Sequence, residues 1–190
     1  MGCRKLSESE VSQVLSVLKT SRDQSLFILG IKTGFRISEL LSLKVKDVMQ
    51  NGEILDRVTV HKNNMKGKAR SRSVILHPEA KALLKKYLNE VGYGPERDLF
   101  VSHKTKEALS RIQAYKILKQ AYLDAGLTED KGTLATHSMR KTFANKVYEN
   151  LGRDILKTGK ALGHVGGYMY KNTELYLEVN QDEVDGAILA

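Results

Sequence analysis

Four stretches of this sequence carry side chains that could do chemistry. In Thr33-Gly34-Phe35-Arg36-Ile37-Ser38-Glu39-Leu40, Arg36 follows a glycine break at the start of a helix. Alone, it reads as a surface ion pair with Glu39 three residues on, worth a few tenths of a kcal/mol. The run from His61 to Arg72 holds Lys62, Lys66, Lys68, Arg70 and Arg72 around Gly67. It suits a solvated turn, or a loop that reaches a phosphodiester and offers one lysine as a general acid. In Thr136-His137-Ser138-Met139-Arg140-Lys141, helical spacing puts an imidazole and a guanidinium on one face, one turn apart. Such a pair can hold one phosphate, although His-x-x-Arg by itself also fits an ordinary helix surface. Last come Leu162-Gly163-His164 and Thr173-Glu174-Leu175-Tyr176-Leu177-Glu178-Val179, one histidine after a glycine and one of eight tyrosines. Taken singly, each has a plain packing role.

The elements that must position these groups are legible from periodicity. Ser7-Glu8-Ser9-Glu10 reads as a capping box ahead of Val11, Val14, Leu15 and Leu18 at helical spacing. A second helix through Leu26, Phe27, Ile28, Leu29 and Ile31 is apolar on most faces, which makes it central. Thr33-Gly34-Phe35 ends it, and a short third helix carries Ile37, Leu40 and Leu41. From Glu53 to Val60 the pattern becomes a strand, with Ser73-Val74-Ile75-Leu76 as its partner and the basic run as an exposed hairpin between them. Pro78 opens another helix at its first position. Helices follow around Ile112 to Ala125, His137 to Glu149, and Asp154 to Leu162. Gly163 to Gly167 is a loop, and Thr173 to Val179 is helical.

Composition narrows the class. The 190 residues match one ordinary domain, and a chain this long can bury roughly 70% of its unfolded surface. No apolar run approaches the roughly 18 residues of a membrane span. Met1-Gly2-Cys3-Arg4-Lys5 has no apolar segment behind it of the kind a secretory signal carries. Cys3 is the only cysteine, which excludes a disulfide framework and thiolate-rich zinc sites and suits a reducing compartment. Thirty-one basic against 22 acidic residues give a net charge of +9, which fits a polyanionic partner such as nucleic acid and also fits simple solubility.

Taken in order, the set is more telling than its members. Arg36 after Thr-Gly-Phe, a hairpin lysine, His137-x-x-Arg140, Leu162-Gly163-His164 and Thr173-x-x-Tyr176-x-x-Val179 together resemble the tyrosine recombinases, or phage-integrase family. The similarity runs from Leu6 to Val179 and matches only that family's C-terminal catalytic domain. The implied fold is α+β and mainly helical, shared with type IB topoisomerases, with a small antiparallel sheet near residues 53–76. The expected organisation is a single catalytic domain over residues 1–190 with a tail at 180–190, without the family's N-terminal core-binding domain.

The resemblance implies a role for each residue. Arg36 and Arg140 look like the two arginines that clamp the scissile phosphate, His137 like the histidine of His-x-x-Arg, and His164 like a further donor to the same phosphate. Glu39 looks like an acidic support of that arrangement. Tyr176 looks like the nucleophile, because Thr173-x-x-Tyr176-x-x-Val179 reproduces the pattern around the family's tyrosine; Tyr170 is the runner-up, in a stretch from His164 that also holds Tyr168 and is longer than the family's. Lys66 looks like the general acid, ahead of Lys68 and Lys62, although the strand after the hairpin lacks the family's proline. Lys62, Lys68, Arg70, Arg72 and Lys141 are expected against DNA.

The implied reaction is DNA cleavage and rejoining through a covalent 3′-phosphotyrosine, without metal, ATP or cofactor. The implied partners are double-stranded DNA and further copies of the chain in a tetramer. The tail residues Val184, Ile188 and Leu189 could pass to a neighbour or pack on their own domain. The implied setting is a prokaryotic cytoplasm, at the nucleoid and away from any membrane. The competing expectations are a type IB topoisomerase and a DNA-binding protein that kept the fold without the activity.

Overall fold

The computed structural model describes residues 2–64, 71–92, 94–102, 104–130, 132–164, 166 and 169–177. Lys66, Lys68, Arg70, Tyr168, Val179, Val184, Ile188 and Leu189 lie outside the described residues. Two compact units are present, Met1–Phe143 and Ala144–Ala190. No helix among the described residues is long and apolar enough to cross a membrane.

In the first unit, helix α1 (Glu8–Val17) starts at the expected box. Ser7 Oγ accepts from the Glu10 amide at 3.2 Å, and the Glu10 carboxylate accepts from the Ser7 amide at 2.8 Å. Arg4 fastens the same carboxylate at 2.7 Å. Helix α2 (Ser21–Thr33) is the central one, with Leu26, Phe27, Ile28 and Leu29 all fully buried. It passes close to residue 139, where a Cβ on Gly30 would come within 2.6 Å of Met139 Sδ. The four-residue α3 (Ile37–Leu40) follows. Helix α4 (Pro78–Val91) has Pro78 in its first turn and His77 as its cap. It sends Tyr87 against Phe100, with ring centroids 6.2 Å apart, and the Tyr87 hydroxyl to the Leu99 carbonyl at 2.9 Å. This gives the apolar Leu99-Phe100-Val101 stretch a place in the core. Helix α5 (Arg111–Asp124) opens with a Ser110/Gln113 capping box.

The expected strand from Glu53 to Val60 is two strands. Strands β1 (Met49–Gln50) and β2 (Glu53–Ile54) pair around a tight Asn51-Gly52 turn whose φ angles are both positive, which suits asparagine and glycine. Strands β3 (Arg57–Val60) and β4 (Arg72–Ile75) form a separate antiparallel pair with Val60 opposite Arg72. The chain changes partner at Leu55-Asp56. The Leu55 amide bonds back to the Val48 carbonyl and the Asp56 carbonyl takes the Leu76 amide, each at 2.8 Å.

Helix α6 (Thr136–Asn150) has its first turns in the first unit and its last turns in the second. The second unit continues with α7 (Ile155–Leu162), capped by Asp154 and ended by Gly163, and α8 (Met169–Glu174). Helices α7 and α8 approach closely at Gly159, where a Cβ would come within 2.7 Å of Thr173 Oγ1 and 2.9 Å of Met169 Cγ.

Candidate active site

The first cluster is built on the turn that ends α2. Gly34 has φ +61°, and a Cβ there would sit 2.3 Å from the Phe143 ring, so both conformation and space require glycine. Two buried guanidiniums hold the carbonyls of this turn. Arg72 Nη2 donates to Thr33 O at 2.6 Å, and Arg140 Nη1 donates to Gly34 O. The residue after this turn and Phe35 is Arg36. A pairing of sites distant in sequence is thus made through one loop.

Arg36 and Glu39 form the ion pair that their spacing implies, but not on the surface. Glu39 is 1% exposed. One carboxylate oxygen accepts from the Arg36 guanidinium at 2.8 Å and the other from the Arg36 amide at 2.7 Å. The carboxylate therefore caps α3 and aims the arginine at once, while the Arg36 side chain stays 24% exposed. That leaves Arg36 able to meet a ligand.

On α6, Arg140 is 1% exposed and His137, one turn earlier, reaches solvent. Partial burial, then the charges of Arg140 and Arg36, hold the His137 imidazole below its ordinary pKa, so it is neutral at neutral pH. Among the described residues of this cluster, Arg36, Arg72 and Arg140 set three positive charges against the Glu39 carboxylate. The positive charge in excess, carried on donors already held in place, is the arrangement that stabilises an oxyanion.

Arg72 was expected on the exposed hairpin, facing DNA. The structure corrects this: Arg72 is 6% exposed, with its guanidinium over the Phe35 ring at 4.7 Å and 5.8 Å from the Phe143 ring centroid. The reason is strand parity. Arg72 shares a face with Val74 and Leu76, and lies opposite the buried Val60. That parity was the available signal, and the charge of the surrounding run masked it. Lys62 is exposed in a short 3-10 turn (Lys62–Asn64), and Lys141 is half-buried on α6.

The second cluster lies wholly in the second unit. Gly163 ends α7 in the left-handed conformation, and the His164 amide returns to the Gly159 carbonyl at 2.9 Å. This places the His164 ring, 6% exposed, with Nδ1 2.9 Å from Thr173 Oγ1. Thr173 Oγ1 donates its one proton to Met169 O at 2.7 Å. It must therefore accept from His164, which fixes the proton of a neutral imidazole on Nδ1 and leaves Nε2 as the acceptor. The Tyr176 ring lies 5.6 Å from the His164 ring, tilted by 33°. Tyr170, the runner-up, is exposed on α8.

Tyr176 was expected inside a helix from Thr173 to Val179. Instead α8 ends at Glu174, and Tyr176 sits in a turn whose amide bonds to Thr173 O at 2.9 Å. The Tyr176 carbonyl is taken by Asn145 Nδ2 at 2.8 Å, so a side chain supplies the donor that a continuing helix would have provided. Asn145 and Thr173 went unnoticed as positioning groups in the sequence, because each makes a tertiary contact that no spacing rule records.

The phage integrase family model matches residues 4–182. The probable integrase/recombinase YoeC of Bacillus subtilis is 33% identical over 178 residues, covering 94% of this chain and 88% of YoeC. Tyrosine recombinase XerD of Oceanobacillus iheyensis is 30% identical over 93% of this chain and 58% of its own length. The chain thus spans just over half of the Xer relative. Among solved structures, XerH site-specific recombinase bound to palindromic difH substrate, a post-cleavage complex, superposes with a TM-score of 0.75 at 26% identity, covering 97% of this chain and 51% of that one. With the matched span running nearly end to end, and the fold that of the recombinase catalytic domain, the chain belongs to the phage integrase family, the tyrosine recombinases.

Proposed function

We propose that this chain is the catalytic part of a site-specific DNA recombinase. The observation that carries the reading is the cation cluster, in which Arg36 and the buried Arg140 are anchored around one turn with a neutral His137 beside them. Family membership supports it, and so does the DNA substrate named for XerH.

In this reading Arg36 and Arg140 hold the non-bridging oxygens of the scissile phosphodiester. Charge grows on those oxygens as the nucleophile adds, and preorganised cations stabilise it. A phenol is mostly protonated at neutral pH, so the attacking Tyr176 oxygen must lose its proton to a nearby acceptor. Within the second unit the His164 ring, 5.6 Å from the Tyr176 ring, is an acceptor of that kind when its Nε2 carries no proton. The new bond joins the tyrosine oxygen to phosphorus, and the bond from phosphorus to the 5′ oxygen of deoxyribose breaks. A hairpin lysine, Lys66 ahead of Lys68, protonates that oxygen. The phosphate ester energy stays in the covalent intermediate, so a returning 5′-hydroxyl reseals the strand without ATP. We take the two units as parts of one catalytic domain.

Exchange between two duplexes needs a nucleophile for each strand, so the working form is an oligomer on double-stranded DNA, a tetramer when both duplexes are cut. Such work belongs at the nucleoid of a prokaryotic cytoplasm. The test is a nicked suicide substrate, which lets the cleaved end diffuse away. A covalent protein–DNA adduct should appear on a denaturing gel and be absent with Tyr176→Phe. Loss of the adduct in Tyr170→Phe, with retention in Tyr176→Phe, would reassign the nucleophile. Salt-sensitive binding with no adduct would leave a DNA-binding protein without the activity.

A further inference from the structure

We infer that Arg72 is a positioning residue for both phosphate-binding arginines, acting through the backbone of the Thr33–Phe35 turn. The inference rests on the recombinase reading above.

Four observations converge on it. Arg72 donates to Thr33 O, and Arg140 donates to the next carbonyl, Gly34 O. The two guanidiniums therefore hold consecutive peptide units, Thr33–Gly34 and Gly34–Phe35, on either side of the Gly34 Cα. Arg72 also lies over the ring of Phe35, the residue that precedes Arg36. Phe143, whose ring limits the space at Gly34, is within 5.8 Å of the same guanidinium. Backbone, ring and hydrogen bond thus lead from Arg72 to both Arg36 and Arg140.

A purely structural role would be served better by another side chain. A leucine or methionine would fill the space between Phe35 and Phe143 and would carry no charge into the interior. Instead a cation is buried beside Arg140 and Arg36, with Glu39 among the charges that oppose it. Burial first, and then Arg140, push the Arg72 pKa down to about 9, which still leaves it charged at neutral pH. An unfavourable charge kept at such a place makes sense if it does something for the neighbouring arginines. The hydrogen bond and the ring stack fix the turn, while repulsion from Arg72 opposes any retreat of Arg36 and Arg140 toward the interior.

The role separates Arg72 from the DNA-facing lysines. It touches no substrate, so its loss should leave DNA affinity alone and slow the chemical step. It acts through the charge of the clamp, so its loss should matter less when the scissile group is neutral.

The experiment uses the full chain in single-turnover cleavage on two nicked suicide substrates. One has the natural phosphodiester, and the other has a methylphosphonate at the scissile position, in which a methyl group replaces one charged oxygen. Arg72→Met should slow phosphodiester cleavage about 100-fold at saturating DNA, the scale of a misplaced catalytic group. The loss should shrink to under about tenfold on the methylphosphonate, with DNA affinity unchanged on both. Phe35→Leu, which removes the stack and keeps the charge, should show a smaller loss with the same substrate selectivity, and it covers the case in which Arg72→Met does not fold. Equal losses on both substrates, or none on either, would overturn the inference. If the unaltered chain forms no adduct on either substrate, the recombinase reading itself fails and takes this inference with it.

Discussion

Thr173 Oγ1 stands 2.9 Å from His164 Nδ1, and the same hydroxyl gives its proton to the Met169 carbonyl. One threonine therefore dictates the tautomer of a buried histidine. Thr173→Val keeps the shape and deletes the acceptor. A buried N–H left without its partner costs about 1–3 kcal/mol. The variant should unfold at lower urea and form the covalent adduct more slowly, while Thr173→Ser should restore both. Nitrogen-15 spectra of the unaltered protein should place the single proton of the neutral imidazole on Nδ1. The opposite tautomer would remove the basis for this assignment.

His137 predicts a pH dependence. Its folded-state pKa lies below the ordinary value near 6.5, because burial and then Arg140 and Arg36 disfavour the imidazolium. The unfolded chain therefore binds the proton first as pH falls. The contribution to stability is full above pH about 6.5 and is lost as pH drops through the folded-state pKa. His137→Gln should flatten this acid limb in urea titrations between pH 7 and pH 5. Occupation of the clamp by a DNA phosphodiester should raise the imidazole pKa, read as a shifted proton resonance. An unchanged resonance on DNA binding would place His137 away from the phosphate.

Asn145 holds the carbonyl of the nucleophile's own residue. Asn145→Asp replaces a donor with an oxygen facing an oxygen. Cleavage should slow by about 100-fold if this contact sets the Tyr176 position. Asn145→Gln should recover part of the rate by offering the same amide from a longer arm. The measurement is the single-turnover rate of adduct formation, with binding followed separately by gel shift.

Gly34 predicts a stability effect that needs no DNA. Alanine there meets a left-handed backbone, costing about 1–2 kcal/mol, and a ring at 2.3 Å, with overpacking adding about 1–3 kcal/mol. Gly34→Ala should lower the urea midpoint strongly. Gly34→Ala combined with Phe143→Leu should recover the part owed to contact and leave the part owed to the backbone. No recovery in the double variant would mean that the ring is not what fills that space.

Much of this protein is legible in its residue order, for local reasons. Capping boxes, helical periodicity, the glycine after α2 and the proline opening α4 act over a few residues, so a linear reading finds them. The same holds for the spacing of His137 and Arg140, and for the pairing of Arg36 with Glu39. Resemblance to a known family then supplied roles that spacing alone left open.

What only the tertiary structure decided are the contacts between residues far apart in the chain. That Arg72 turns inward onto Phe35, that Arg140 seizes the carbonyl of Gly34, and that Glu39 is buried all depend on which face of an element meets its neighbour. Charge marks a residue as able to bind DNA or to brace a turn, and only packing chooses between them. The end of α8 was decided the same way. Nothing in Thr173-Glu174-Leu175-Tyr176 stops a helix, but the amide of Asn145, thirty-one residues earlier, takes the tyrosine carbonyl and the chain turns.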